Sequence, residues 1–379
     1  MSRSFAAIAA AAAGGLALLI SGLCFLCFYI LKARTLSNKS SETGSSDPST
    51  LGRMSSAGCG PIGDPHVVRR FTLQELEQAT KNFDECNYVG KGSFGLVYKG
   101  LLLDGIIVAV KRRLGYPMQE FVEEVRSLSE VWHRNLVTFI GYCQEGGFQL
   151  LVFEYVPNGS ICGHLYDTRQ DSTVRLEFKQ RLAIAIGAAK GLSHLHSQVP
   201  PIVHKDFKTS NVLVDENFIA KVADAGIFKL LQRIEDGTPS RASGGNVFKD
   251  PEILESEELS EASDVYSFGV FLLELVTGRE ATQLIAQEYT GSLAQWVEAH
   301  MGINDLIDQR LAGSFTSEGM KRLIRLILQC LNLSGRRRPN MEFIAIELDQ
   351  ILETEMTLTT VMGDGTAIVT LGSQLFTSS

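Results

Sequence analysis

His204-Lys205-Asp206-Phe207-Lys208-Thr209-Ser210-Asn211 is the stretch on which the reading of this chain turns. Asp206 is placed to accept the proton of a hydroxyl group, Lys208 to neutralise charge on a phosphoryl group in transit, and Asn211 offers a neutral oxygen to Mg²⁺. Asp224, which opens Asp224-Ala225-Gly226, adds an ionised oxygen ligand. Magnesium favours one or two carboxylates together with phosphate oxygens, and these residues offer that set. The bland reading, an ordinary loop with two buried aspartates, fails on the company these residues keep.

Upstream lies Gly90-x-Gly92-x-x-Gly95-x-Val97, then Val108-Ala109-Val110-Lys111. This glycine loop sits between two predicted strands, whereas a dinucleotide-binding loop of the same spacing would join a strand to a helix. Glycines let backbone N–H groups approach phosphates closely, with Phe94 expected at the tip as a lid. Lys111 ends an apolar strand, where a buried ammonium is costly without a phosphate and a carboxylate beside it. Glu124 is the expected carboxylate, because Phe121, Val125 and Leu128 define an inward stripe beside it; Glu123 is the competitor. Phe153 to Val156 follows an apolar strand and precedes the turn Pro157-Asn158-Gly159. Backbone groups of Glu154 and Val156 are expected at an adenine edge, with Phe153 guarding the pocket behind and Val97 and Ala109 also at the nucleotide. Downstream, Asp250-Pro251-Glu252 and Arg338 are read as structural, with a buried Glu252–Arg338 pair. His204 is also structural, and Asp264 is expected to hold the backbone of the 204–211 loop. In this order, the motifs make a parts list for moving the γ-phosphate of ATP onto a protein hydroxyl.

Composition sets the frame. A chain of 379 residues that is 45% hydrophobic carries a packed core. A net charge of −8 argues against nucleic acid as a general partner. Cys24, Cys27, Cys59, Cys86, Cys143, Cys162 and Cys330 are odd in number and scattered, which fits reduced cytosolic thiols better than a disulfide framework or zinc site. Cys24 and Cys27 read as small apolar filler, with acylation of Cys27 the alternative.

Phe5 to Leu31 is an uninterrupted apolar run, and about 20 residues suffice to cross a bilayer. A cleavable leader has a shorter apolar core, so residues 5–31 are expected to be a retained transmembrane helix; the small residues from Ala9 to Gly15 supply the cleavage reading. Lys32, Arg34 and Lys39 follow the run and place its C-terminal side in the cytosol. With so little before the span, no ectodomain is expected.

Residues 32–65, rich in Ser, Gly, Thr and Pro, read as a flexible linker. Order returns at Phe71, where Thr72 and Glu75 form a capping box and Phe71 can staple onto Leu76. Tyr88–Lys99, Ile106–Lys111 and Leu150–Tyr155 read as strands; Glu120–Val131, Arg181–His196 and Asp264–Thr277 read as helices. The expected class is therefore α+β: a small β-rich lobe to about residue 155, a larger helical lobe from about 156, and a loosely ordered tail over 353–379.

Four stretches carry a resemblance: Phe71–Phe83 (FTLQELEQATKNF), His133–Tyr142 (HRNLVTFIGY), Leu151–Gly159 (LVFEYVPNG) and Ser263–Val270 (SDVYSFGV). Through them, residues 66–352 closely resemble eukaryotic protein kinases, specifically the plant receptor-like/Pelle group of Ser/Thr kinases. The resemblance implies a bilobal fold, Mg·ATP, protein substrates, a receptor or receptor-like kinase as partner, and signalling at a membrane, most simply the plasma membrane. A membrane span with almost no ectodomain is similar to the cytoplasmic-type members. Four positions depart from the family pattern. Lys205 stands where many members have arginine, so the forked pairing to a phosphate is lost. Ala225 replaces a phenylalanine that packs under the helix carrying Glu124. Gly245 replaces a threonine whose hydroxyl reaches the catalytic aspartate and lysine, and Lys249 stands where an apolar residue is common. None removes a metal or phosphate ligand, so the expectation is an active but slow Ser/Thr kinase; its rival is a pseudokinase scaffold that binds nucleotide and docks an active kinase.

Overall fold

The computed structural model describes residues 68–113, 117–166, 176–227, 230, 247–253, 260–285, 292–301 and 306–360. The expected membrane helix at 5–31, the linker at 32–65, Gly245 and everything after residue 360 lie outside these residues. Among the described residues, no helix is long and apolar enough to cross a membrane.

The first lobe is a six-stranded sheet in the order β1-β5-β6-β4-β3-β2. Its strands are β1 (Arg69–Arg70), β2 (Tyr88–Lys91), β3 (Gly95–Leu101), β4 (Ile107–Arg113), β5 (Phe139–Glu145) and β6 (Phe148–Glu154). Side-chain alternation divides the sheet cleanly. Val108 and Val110 of β4 join Leu150 and Val152 of β6 on one face, under Phe71, Leu76 and Ala79. Their neighbours Leu151 and Phe153 face the other way, against Phe121, Val125 and Leu128 of helix α2 (Phe121–Ser129). A slip of one residue would exchange these two faces, so the register that pairs Ala109 with Phe153 and Val97 with Lys111 is strongly specified. Helix α1 (Leu73–Thr80) begins on the expected capping box: Glu75 N–H donates to Thr72 Oγ1 at 3.2 Å and Thr72 N–H to Glu75 Oε2 at 2.8 Å.

The second lobe holds α3 (Ile161–Tyr166), α4 (Phe178–His196), the pair β7 (Val212–Val214) and β8 (Ala220–Val222), and α5 (Glu261–Thr277). It continues through α6 (Ala281–Ile285), α7 (Leu293–His300), α8 (Ser317–Cys330) and α9 (Met341–Thr360). Every residue from Ser263 to Thr277 is buried, so α5 is the central post of the lobe rather than an amphipathic surface helix. Helix α4 approaches β8 closely because it has no side chain at Gly187, where a Cβ would lie 3.0 Å from Ala220 Cβ and 2.9 Å from Asn135 Nδ2.

Two details differ from expectation. Helix α9 runs past Glu353 to Thr360, because the fully buried Glu355 accepts hydrogen bonds from Thr316 N–H (3.0 Å) and from its hydroxyl, anchoring what would otherwise be tail. The buried partner of Arg338 is Asp250, not Glu252. Its guanidinium forks onto Asp250 at 2.5 and 2.8 Å, whereas Glu252 lies 4.0 Å away and accepts the Gly335 N–H at 2.7 Å. The turn at Pro251 aims the first carboxylate inward and leaves the second half-exposed. Arg338→Leu should strip Asp250 of its counter-charge and cost about 3–5 kcal/mol, read as a lower urea midpoint; a loss under about 1 kcal/mol would show that the pair does not secure this segment.

Candidate active site

One face of α5 builds the site. Asp264, Phe268, Phe271 and Glu274 follow one another at helical spacing, and all four meet the loop that carries Asp206. The Asp264 carboxylate, 1% exposed, accepts His204 N–H at 2.7 Å, Lys205 N–H at 2.9 Å and lies 2.9 Å from His196 Nε2. Phe207 packs against the rings of Phe268 and Phe271 at 5.7 and 5.6 Å. Glu274 accepts hydrogen bonds from the hydroxyls of Thr209 and Tyr166 and from Ala281 N–H (2.7 Å). Burial pushes its carboxyl pKa up while these donors oppose the rise. Glu274, Tyr166 and Thr209 were not singled out from the sequence; a lone glutamate inside a nearly all-apolar helix was the available signal. His204 Nε2 donates to the Ala223 carbonyl at 2.9 Å, joining this loop to Asp224.

These supports bring Lys208, Asn211 and Asp224 to one cleft of 730 Å³, within the range of nucleotide-sized pockets, and Asp206 adjoins it through its contacts with the lining residues Lys208 and Ser93. The cleft is also lined by Gly90, Gly92, Val97, Ala109, Lys111, Phe153, Glu154 and Val156, while Gly95 sits just behind it at the start of β3. Lys208 Nζ lies 3.0 and 2.9 Å from the two oxygens of Asp206. Asn211 Nδ2 donates to the Asp206 carbonyl at 2.8 Å, so its Oδ1 is left as the free acceptor. Lys205 and Asp224 both adopt left-handed backbone, with φ of 68° and 63°, a conformation uncommon outside glycine that clusters at functional sites.

Lys111 reaches into the same cleft and pairs with Asp224, not with Glu124. Glu124 is half-buried on α2, and the ammonium takes the nearer carboxylate, the two side chains being only 12% and 6% exposed. Burial pushes the Lys111 pKa down to about 8, with the Asp206 carboxylate opposing and Lys208 adding to the fall. Contact with Asp224 favours the charged form, and the pair neutralises two groups that would be expensive buried alone.

Two further expectations change. Phe94 is not an exposed lid: it is fully buried among Phe121, Val125, Leu128, Leu151 and Phe153, because an apolar ring gains more there than in water. The Glu154 N–H already donates to the Thr138 carbonyl at 3.0 Å, and its carboxylate accepts from the Thr138 hydroxyl and the Lys221 ammonium, so the Glu154 N–H is no donor for a ligand. The Val156 N–H has no acceptor among the described residues.

With this geometry in view, the chain belongs to the protein kinases: the family described as "Protein tyrosine and serine/threonine kinase" matches residues 84–348. It is 36% identical over 375 residues to receptor-like protein kinase ANXUR1 of Arabidopsis thaliana, covering 94% of this chain and 44% of that protein. It is 38% identical over 318 residues to receptor-like protein kinase THESEUS 1 of the same plant, covering 82% and 37%. These relatives place it in the plant receptor-like kinase group, and it spans less than half their length. Among solved structures, the pseudokinase domain of BIR2, described as an immune regulator of the RLK/Pelle family, matches with a TM-score of 0.62 and 30% identity, covering 79% of this chain and 91% of that one.

Proposed function

We propose that this chain is a membrane-anchored serine/threonine protein kinase that transfers the γ-phosphate of ATP to protein hydroxyls in signalling inside the cell. The observation that supports it most is the convergence of Lys111, Lys208, Asn211 and Asp224 on one cleft beneath a glycine loop, with Asp206 held at its edge by Lys208. In this reading, Gly90, Gly92 and Gly95 bring backbone N–H groups to the phosphates. The Val156 N–H and pocket walls Val97, Ala109 and Phe153 hold the base. Lys111 supplies positive charge to the phosphates once it releases Asp224. Asn211 Oδ1 and the freed Asp224 carboxylate would hold Mg²⁺, which when bound offsets the phosphate charge. Asp206 takes the proton of the acceptor hydroxyl, and Lys208, already beside it, balances charge on the phosphoryl group. A lysine two residues after the catalytic aspartate favours serine and threonine over tyrosine as acceptors. Signalling partners would be protein substrates and a receptor or receptor-like kinase, as the names of the relatives suggest.

A second reading, a nucleotide-binding pseudokinase scaffold, draws on Ala225 and on the likeness to the BIR2 pseudokinase domain. One experiment separates the two. Incubation of the full chain with γ-labelled ATP, Mg²⁺ and a generic basic protein should label serine and threonine, and Asp206→Asn should reduce labelling by about 10²–10⁴-fold. A folded wild-type chain that labels no more than Asp206→Asn would contradict the kinase reading.

The anchor rests on the apolar run Phe5–Leu31 and the basic residues after it. The full chain should stay with membranes through carbonate extraction, and a form lacking residues 5–31 should be released. A full chain that is itself extracted would overturn the anchor and leave the kinase reading standing.

A further inference from the structure

The tip of the glycine loop is held down in the cleft by two neighbouring residues of opposite character. Ser93 Oγ donates to Asp206 Oδ2 at 2.8 Å, a contact between groups 113 positions apart in the chain. This is the geometry a hydroxyl must reach to lose its proton to Asp206. Next to it, Phe94 is fully buried in the cluster between α2 and β6, which also takes in Ile227 and Leu230 just after Asp224-Ala225-Gly226. Arg113 straps this arrangement: its guanidinium stands 5.7 Å over the Phe94 ring while its Nη1 donates to the Leu230 carbonyl at 2.6 Å.

The sequence explains why the cluster admits a ring from the loop. Position 225 carries only a methyl group, and that methyl packs with the second lobe's core. Gly226 adds no side chain and lies against α2, where a Cβ would be 3.1 Å from Leu128 Cδ2. The segment following Asp224 therefore brings no aromatic side chain to α2 before Ile227, and Phe94 completes the apolar packing there. With Phe94 seated, Ser93 falls onto Asp206, and Lys111 is left to pair with Asp224.

We propose that the glycine loop is an internal plug, with Ser93 occupying the place of a protein acceptor's hydroxyl and Phe94 locking the loop to α2, Ile227 and Leu230. This rests on Asp206 being the proton acceptor of the proposed kinase reaction. The plug makes two demands on a ligand. A nucleotide phosphate must lift the loop to reach Lys111, and an acceptor hydroxyl must displace Ser93. Apparent affinity for nucleotide is then the intrinsic affinity reduced by the fraction of chains whose loop is lifted. Because Arg113 couples the ring to Leu230, displacement of Ile227 and Leu230 would release the loop.

Hydrogen exchange of the full chain without nucleotide tests the plug independently of catalysis. Amides of residues 90–95 should be protected in the wild type and exchange about tenfold faster or more in Phe94→Ala, with Phe94→Leu retaining most of the protection. Titration with a fluorescent ATP analogue should show affinity rising severalfold in Ser93→Ala, which removes the polar contact without disturbing the apolar cluster. A loop that exchanges equally fast in wild type and Phe94→Ala, together with unchanged affinity in Ser93→Ala, would overturn the plug. That outcome leaves the labelling lost in Asp206→Asn unaffected, whereas a protected loop in a chain without transferase activity would retain the plug and sink the kinase reading.

Discussion

The buried face of α5 is the constraint on which the site depends. A carboxylate as deeply buried as Asp264 is tolerable only when its oxygens are fully engaged, and two backbone N–H groups of the 204–205 segment engage them. That requirement runs both ways: the helix needs the loop to satisfy its aspartate, and the loop needs the helix to hold Lys205 in its left-handed conformation. Phe207 and Thr209 then fix the rest of the loop against Phe268, Phe271 and Glu274, so that Lys208 lines the cleft with Asp206 paired to it. Rigid support of this kind is what positioning chemistry requires.

Within the cleft the charges are matched among themselves. Lys111 neutralises Asp224, Lys208 neutralises Asp206, and Ser93 adds a hydrogen bond to the latter. Paired ions in a half-enclosed site are stable without a ligand, yet each pair consists of one group suited to phosphate and one suited to a cation or proton. A phosphate-rich ligand bearing Mg²⁺ can exchange these partners without leaving any of them unpaired, which keeps the desolvation cost of binding low. The arrangement thus explains how a buried lysine and two aspartates persist in the resting chain and remain available for chemistry.

Much of this architecture was legible in the amino-acid order. The strands read at 106–111 and 150–155 correspond to β4 and β6, and Thr72 with Glu75 marks the start of the first helix; which side chains face which layer comes from the fold. Strand β5, which contains Gly141, was not announced, because its backbone is fixed by pairing with β6 and β1 rather than by local pattern. Choices between nearby carboxylates were also beyond the sequence. Asp250 and Glu252 are two residues apart, and only the course of the backbone decides which meets Arg338. Likewise the sequence offered Lys111 a choice between Glu124 and Glu123, and the fold brings it instead to Asp224, 113 positions away. Phe94 belongs to the same class: glycine spacing marks a loop but carries no information about which way its tip turns.

The central claim is that Lys111, Asn211 and Asp224 form a nucleotide–metal site that the resting ion pair holds in reserve. Calorimetric titration of ATP into the full chain, with and without Mg²⁺, tests it most directly. The account predicts binding that strengthens about tenfold or more when Mg²⁺ is present, equivalent to about 1.4 kcal/mol, because the cation takes over Asp224 as Lys111 turns to the phosphates. Affinity that is the same with and without the cation, or no binding in either condition, would contradict it.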